Sequence, residues 1–309
     1  MVSFQLIAPS YLMKPNCPNS SCSFIHQNTF VSKSGRYFRK DDSRFIQRFI
    51  CQHCNKRFSS STPTLEYNQK KRRINHTVFG LLSSGISLRR ISLVLKINQK
   101  TAARKLQYLA TKARLEQAKF LKMLQENPVE HLQFDDLITS EHTKLKPLAV
   151  SIAVDAKRRF ILGLNVATIP AFGKIAKLSR AKYGPRISDH KEKLDEMLKK
   201  IKPLILPAAQ ICSDEHKHYP PVVKKYFPKA HHEQFKGGRG CIVGQGELKK
   251  LRFDPLFTLN HSCAMLRANI NRLFRRTWCT TKKPLRLKDH LDIYTWYHNS
   301  VLLGLSFKH

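Results

Sequence analysis

Four cysteines near the start of the chain limit what it can fold into more than any other feature. Cys17 and Cys22 bracket CPNSSC, and Cys51 and Cys54 close RFICQHC. A segment this short buries too little apolar surface to fold alone. Paired thiolates on two tight turns predict a tetrahedral structural zinc site that supplies its folding energy. The C-x4-C spacing is wider than the commonest one, and His26 and His53 are alternative ligands. The pairs could instead close disulfides. Cys212, Cys241, Cys263 and Cys279, however, are scattered like ordinary reduced thiols. That favours a reducing, cytoplasmic setting, and with it zinc. The run SGRYFRKDDSRFIQRFICQHC alternates aromatic and basic residues, which suits a strand entering the second pair, as in a zinc ribbon. Phe38, Phe45, Phe49 and Phe58 are expected to be its small core. Residues 1–62 form this metal-binding domain.

Charge points to the partner. The chain carries 56 Lys+Arg against 21 Asp+Glu, a formal charge of +35. Its 41% hydrophobic content still allows a real core. A folded polycation of this kind predicts a polyanionic partner, nucleic acid before an anionic membrane surface. No apolar run is long enough to span a bilayer, which takes about 18 residues or more. The N-terminal MVSFQLIAPSYLMK lacks the basic leader of a secretory signal.

Residues 70–127 predict a helical DNA-binding domain. Val78, Leu81 and Leu82 mark a first helix, SGISLRRISLVLKI a second capped by Ser87, and Asn98 caps a third. A tight turn at about residues 96 to 99 joins the last two, as in a helix-turn-helix whose third helix enters the major groove. On that helix Ala102, Leu106 and Leu109 are expected inward, and Lys100, Arg104, Lys105 and Lys112 outward, against DNA. Helix continues to a hinge near Pro128.

Residues 128–309 read as a second architecture. HLQFDDLITSE predicts a strand ending in acids. PLAVSIAVDAKRRFILGLNVATI predicts two more strands joined by a turn at Asp155–Arg158. KEKLDEMLKKIKPLI is a helix, and Ala209 to Ser213 a buried strand that ends at Asp214 and Glu215. A helix or turn starts near Pro220, AHHEQF is a short strand, and a last long helix covers 259–278. Trp278 and Trp296 are expected in the core. FKGGRGCIVGQGE lacks the G-x4-G-K-[ST] of a phosphate-binding loop and reads as a flexible basic loop. His216, His218, His231, His232 and His261 lack H-E-x-x-H spacing and read as surface or supporting groups.

Three strands, a helix, a strand with an acid at its tip and a late helix is the element order of a ribonuclease-H-like fold. The expected whole is therefore a multidomain α+β/α/β chain: zinc ribbon, helix-turn-helix, then a ribonuclease-H-like catalytic domain. Paired acids are out of place in so cationic a chain unless a divalent cation compensates their repulsion. Asp135 and Asp214 are the expected magnesium ligands, and Asp136 and Glu215 the spares.

LQFDDL, CSDEHKHY and LNHSCAMLRANINRLFRRTWCTTKK resemble the three signature blocks of bacterial insertion-sequence transposases of the insertion-sequence-one superfamily. The resemblance covers nearly the whole chain. It implies a DDE-type triad in which Asp135 and Asp214 match the first two acids and Tyr219 a family tyrosine. Arg267, Arg272, Leu273, Arg275 and Thr277 match the third block. Seven residues before Arg267, where the family often has Glu, stands Asn260. The centre is then Asp135, Asp214 and Asn260, unless Glu247 or Asp254 supplies the third ligand or this copy is weakened. The resemblance also implies magnesium (or manganese), double-stranded DNA as element ends and target, and a homo-oligomer to pair two ends. Arg267, Arg272 and Arg275 would hold phosphates in a bacterial, nucleoid-associated enzyme. The alternatives are an inactive DNA-binding descendant of a transposase and a nuclease on the same fold.

Overall fold

The structure, a computed structural model, describes residues 15–25, 27–236, 254–274 and 277–304. His26, Cys241, Glu247 and Arg275 lie outside the described residues. The chain divides into two compact units, Met1–His76 and Thr77–His309.

The first unit is a small antiparallel sheet beside the four cysteines. Strands β1 (Val31–Arg39) and β2 (Arg44–Cys51) pair as a hairpin, and β3 (Arg57–Ser59) adds to β2. Val31, Phe49 and Phe58 form its apolar centre, with Phe49 opposite Phe58. Phe38 and Phe45 do not belong to it. They face each other near the hairpin tip and are 49% and 69% exposed. So few residues enclose only one small cluster, which leaves the tip in water.

The second unit opens with three helices, α1 (Asn75–Ser83), α2 (Leu88–Val94) and α3 (Gln99–Leu124). The caps are as expected: the Ser87 side chain accepts from Arg90 N, and that of Asn98 from Lys100 N. Lys96, at φ 48°, turns the chain between α2 and α3. Ala102, Leu106 and Leu109 are buried, but so is Lys105, at 4% exposure, so its expected outward placement is corrected. With α2 on one flank of α3 and a later helix on another, the buried arc is wider than a single stripe.

The sheet that follows is five-stranded and mixed, in the order β6-β5-β4-β7-β8. Strands β4 (Val129–Ser140), β5 (Pro147–Asp155) and β6 (Ile161–Thr168) form the antiparallel meander. The Asp155 carboxylate closes its second turn by accepting from the N–H groups of Lys157 and Arg158. Between β6 and β7 lie α4 (Ala176–Tyr183) and α5 (His190–Ile201). Strand β7 (Ile205–Asp214) runs parallel to β4, α6 (Tyr219–Tyr226) follows, and β8 (His231–Phe235) runs parallel to β7. β5 is buried at every residue, as a near-continuous apolar run requires of a strand covered on both faces.

Two helices cover the other face: α7 (Phe257–Asn269) and α8 (Pro284–Tyr297). Leu259, Leu266, Leu287, Leu291 and Tyr294 pack there against Leu148, Val150, Ile152 and Val154. The expected helix over 259–278 ends early, because Ile270 turns extended (φ −109°, ψ 110°). Trp278, beyond that break, is 76% exposed rather than in the core, whereas Trp296 on α8 is buried. The helical segment and the sheet share this unit across the expected hinge at Pro128. Arg114 of α3 donates to Asp289 and Asp292 of α8. The buried Asn299 amide bonds both Gln117 of α3 and the Ile161 backbone of β6.

Candidate functional site

Alternation along β4 sends its two adjacent acids to opposite faces of the sheet. Asp136 goes with Phe134 toward α5 and α6. Its carboxylate accepts from Ser151 of β5 and from Tyr219 Oη at 2.8 Å, and is bonded to His190 Nε2. Burial works against its charge, but these partners hold it below the usual carboxylate range. Hydrogen bonding to Asp136 raises the His190 imidazole in turn. Asp136, expected as a spare, is thus the anchor between β4, α5 and α6. His190 gave no sequence signal, being 54 positions away and the first residue of its helix.

Asp135 turns to the α7 face, with the Tyr219 hydroxyl still 3.4 Å from its Oδ1. Phe134 pairs with Ser213 across the parallel β4–β7 ladder, so the next step places Asp135 beside Asp214. It is β7 that ends there; β4 runs on to Ser140, so Asp135 lies within its strand rather than at the tip. Burial, and then the charge of Asp214, push the Asp135 carboxyl up to about 7. Burial also raises Asp214, and its Oδ1 is a buried oxygen without a hydrogen-bond partner. Two facing carboxylates with an orphaned buried oxygen are a donor set that fits a hard divalent cation.

The first turn of α7 is fastened beside them. Leu259 N donates to Gln133 Oε1, and Gln133 Nε2 donates to Pro255 O. Asn260 lies exposed in that turn, and its Nδ2 donates to Asp254 Oδ2 at 2.9 Å. Asp254 Oδ1 accepts from Leu256 N. The Asp254 carboxylate is thus committed to shaping the start of α7, while the Asn260 carbonyl stays available. Cys263, one turn on, was not foreseen. Burial pushes its thiol up to about 12, with the charge of Asp135 adding and that of Arg267 opposing. The stripe Asn260–Cys263–Arg267 therefore runs past Asp135. Arg272, half-buried beyond α7, donates a long 3.4 Å bond to Thr280 O.

In the first unit, the four cysteine sulfurs lie within 4.8 Å of one another. Cys17 and Cys54 are 3.6 Å apart, Cys22 and Cys51 3.9 Å. A tetrahedron with Zn–S bonds of about 2.3 Å has edges of about 3.8 Å, so the spacing fits structural zinc and not disulfides. Burial pushes Cys17 up to about 12, while a backbone hydrogen bond from Lys56 pulls Cys54 down to about 6. Four thiols in this arrangement can ionise together only against a cation. His53 Nδ1 approaches Cys22 at 3.8 Å, as a supporting group rather than a ligand.

Of the basic residues expected at DNA, Lys100 and Arg104 are exposed on α3, Lys105 is buried, and Arg275 lies outside the described residues. Among the described residues no helix is long and apolar enough to cross a membrane. No protein-family model matches the chain, and no curated protein matches it.

Proposed function

We propose that this protein is a DNA transposase, with a metal-dependent phosphodiester centre at Asp135 and Asp214. One observation carries the reading: two carboxylates from adjacent parallel strands face each other in a half-buried place, inside a chain of +35 formal charge. The sheet order, with β4 central between an antiparallel meander and two parallel strands, supports a ribonuclease-H-like core. The capped helices α2 and α3 support a helix-turn-helix, and the cysteine cluster beside three short strands supports a zinc ribbon.

Asp135 and Asp214 would hold magnesium, with the Asn260 carbonyl as a neutral third donor. The bound ion would supply Lewis-acid polarisation of the scissile phosphate. Asp136 does the positioning, because its bonds to His190, Ser151 and Tyr219 fix the pitch of β4 at the acids. Arg267, beside Cys263 on α7, and exposed Lys100 and Arg104 on α3 would meet phosphates and bring DNA to the carboxylates.

The test is magnesium-dependent cleavage and strand transfer of a labelled element end. Asp135→Asn and Asp214→Asn should lose cleavage and keep end binding; if both variants still cut, the centre lies elsewhere. One observation favours a second reading, a DNA-binding descendant without catalysis: the third position is an amide already bonded to Asp254. Wild type that binds ends and never cuts them establishes that reading.

A further inference from the structure

A cavity of about 850 Å³ opens where the loop before α2, the first turn of α3 and the segment after α7 meet. Arg89, Arg90, Lys100 and Arg272 line it, and its described lining includes no Asp or Glu. Arg272 is the telling member. It is half-buried, and among the described residues its hydrogen bonding is confined to the long contact with Thr280 O. A partly desolvated guanidinium without a carboxylate is stabilised by an incoming anion. Trp278 lines the same cavity, 76% exposed, and its indole has no aromatic or cation–π contact among the described residues. Phe274 closes the inner wall against Gly85, which sits at φ +75°, where an added methyl would come within 2.9 Å of the ring. The Phe274 ring therefore packs directly on the Gly85 backbone, with no room for a side chain between them.

A cation beside a free aromatic face matches the repeat unit of a single strand, which offers one phosphate and one flat base per residue. We propose that this cleft takes an unpaired nucleotide of a DNA strand, with its base on Trp278 and its phosphate on Arg272. Arg89, Arg90 and Lys100 engage the flanking phosphates. The inference rests on the DNA-handling function proposed above and adds a single-strand subsite apart from the carboxylates. The span of α7 from Asn260 to Asn269 is about 14 Å, and the cleft opens beyond its far end. A strand seated there reaches the acids within a few nucleotides.

The experiment is titration of the full chain with an oligothymidylate and, separately, with a duplex of equal length. Anisotropy of a dye-labelled strand gives the affinities of wild type and variants, and tryptophan fluorescence of the wild type and a salt series are the further readouts. Trp296 is buried, so quenching by the oligonucleotide reports mainly on Trp278. Quenching is expected in wild type. Trp278→Ala should weaken oligothymidylate binding roughly tenfold, with duplex affinity changed less than twofold. Trp278→Phe should restore most of the loss, and the exposed position makes both variants safe for folding. Arg272→Gln should lower the single-strand salt slope by about 0.7. Duplex binding with no oligothymidylate binding, or unchanged affinity in Trp278→Ala, overturns the subsite and leaves the DNA-handling function standing. Wild type that binds neither probe overturns both.

Discussion

Replacing Asp135 by Asn should stabilise the metal-free protein, even though it removes a residue placed at the centre of function. In the fold its carboxyl rises from 3.8 to about 7, through burial and the facing Asp214. A carboxyl raised on folding leaves stability untouched below pH 4, where both states are protonated. Stability then falls as pH climbs toward 7, because the folded state holds the proton that the unfolded chain has released. At about 1.36 kcal/mol per pH unit, the full window is worth up to about 4 kcal/mol. Partial exposure and relaxation reduce this to about 2 kcal/mol. An amide removes the penalty. For a unit of this size about 2 kcal/mol corresponds to roughly 4–8 °C in Tm. Melting in chelator at pH 5 and pH 8 checks this: the gap between variant and wild type should widen with pH. Magnesium should reverse the order, since an ion at 100 times its Kd adds about 2.7 kcal/mol to wild type alone. A variant that melts no higher than wild type at pH 8, with no widening from pH 5, refutes the facing-carboxylate argument.

Other outcomes follow from the same structure. Reduced protein should carry one zinc per chain by metal analysis, and Cys51→Ser should lose it together with the protease resistance of residues 15–60; retention of zinc would overturn the cluster. Arg114→Ala leaves the Asp289 and Asp292 carboxylates, only 3% and 9% exposed, without that cation. Arg114 itself is 43% exposed, so the loss should be about 1–2 kcal/mol, below the 3–5 typical of a buried pair, read from urea melts. Burial holds the His290 imidazole down at about 3, so it stays neutral in the fold. Acidification from about pH 6.5 should therefore reduce stability at up to about 1.4 kcal/mol per unit, and His290→Gln should flatten that slope. Lys100→Ala and Arg104→Ala should each weaken duplex binding and lower the salt slope by about 0.9.

Local chemistry was legible in the sequence; what depended on distant neighbours was not. Cysteine spacing gave the sulfur cluster because two tight turns need no tertiary context. Ser87 and Asn98 marked helix starts because a cap bonds within three residues of itself. An acidic pair breaks an apolar run and so looks like a strand tip. In the fold β4 continues, since β5 still pairs with every residue from Leu132 to Ser140. Helix α8 stayed hidden because Asp289, His290 and Asp292 look like a solvated face, yet all three are buried, and both carboxylates meet Arg114. Residue type alone places Phe38, Phe45 and Trp278 in cores, but the fold leaves them in water.

The fastening of α3 has a consequence for where a cut would fall. This helix is a continuous rod of 26 residues, about 39 Å long. Arg114 bolts it to α8 midway, and Gln117 ties it to the start of β6 through Asn299. A reading surface on such a rod works as a caliper. Under the proposed function, the distance from recognised bases to severed bond is set by the rod and its bolts, as a constant of the protein. Shortening or lengthening the DNA between them by half a helical turn should abolish cutting rather than shift its position.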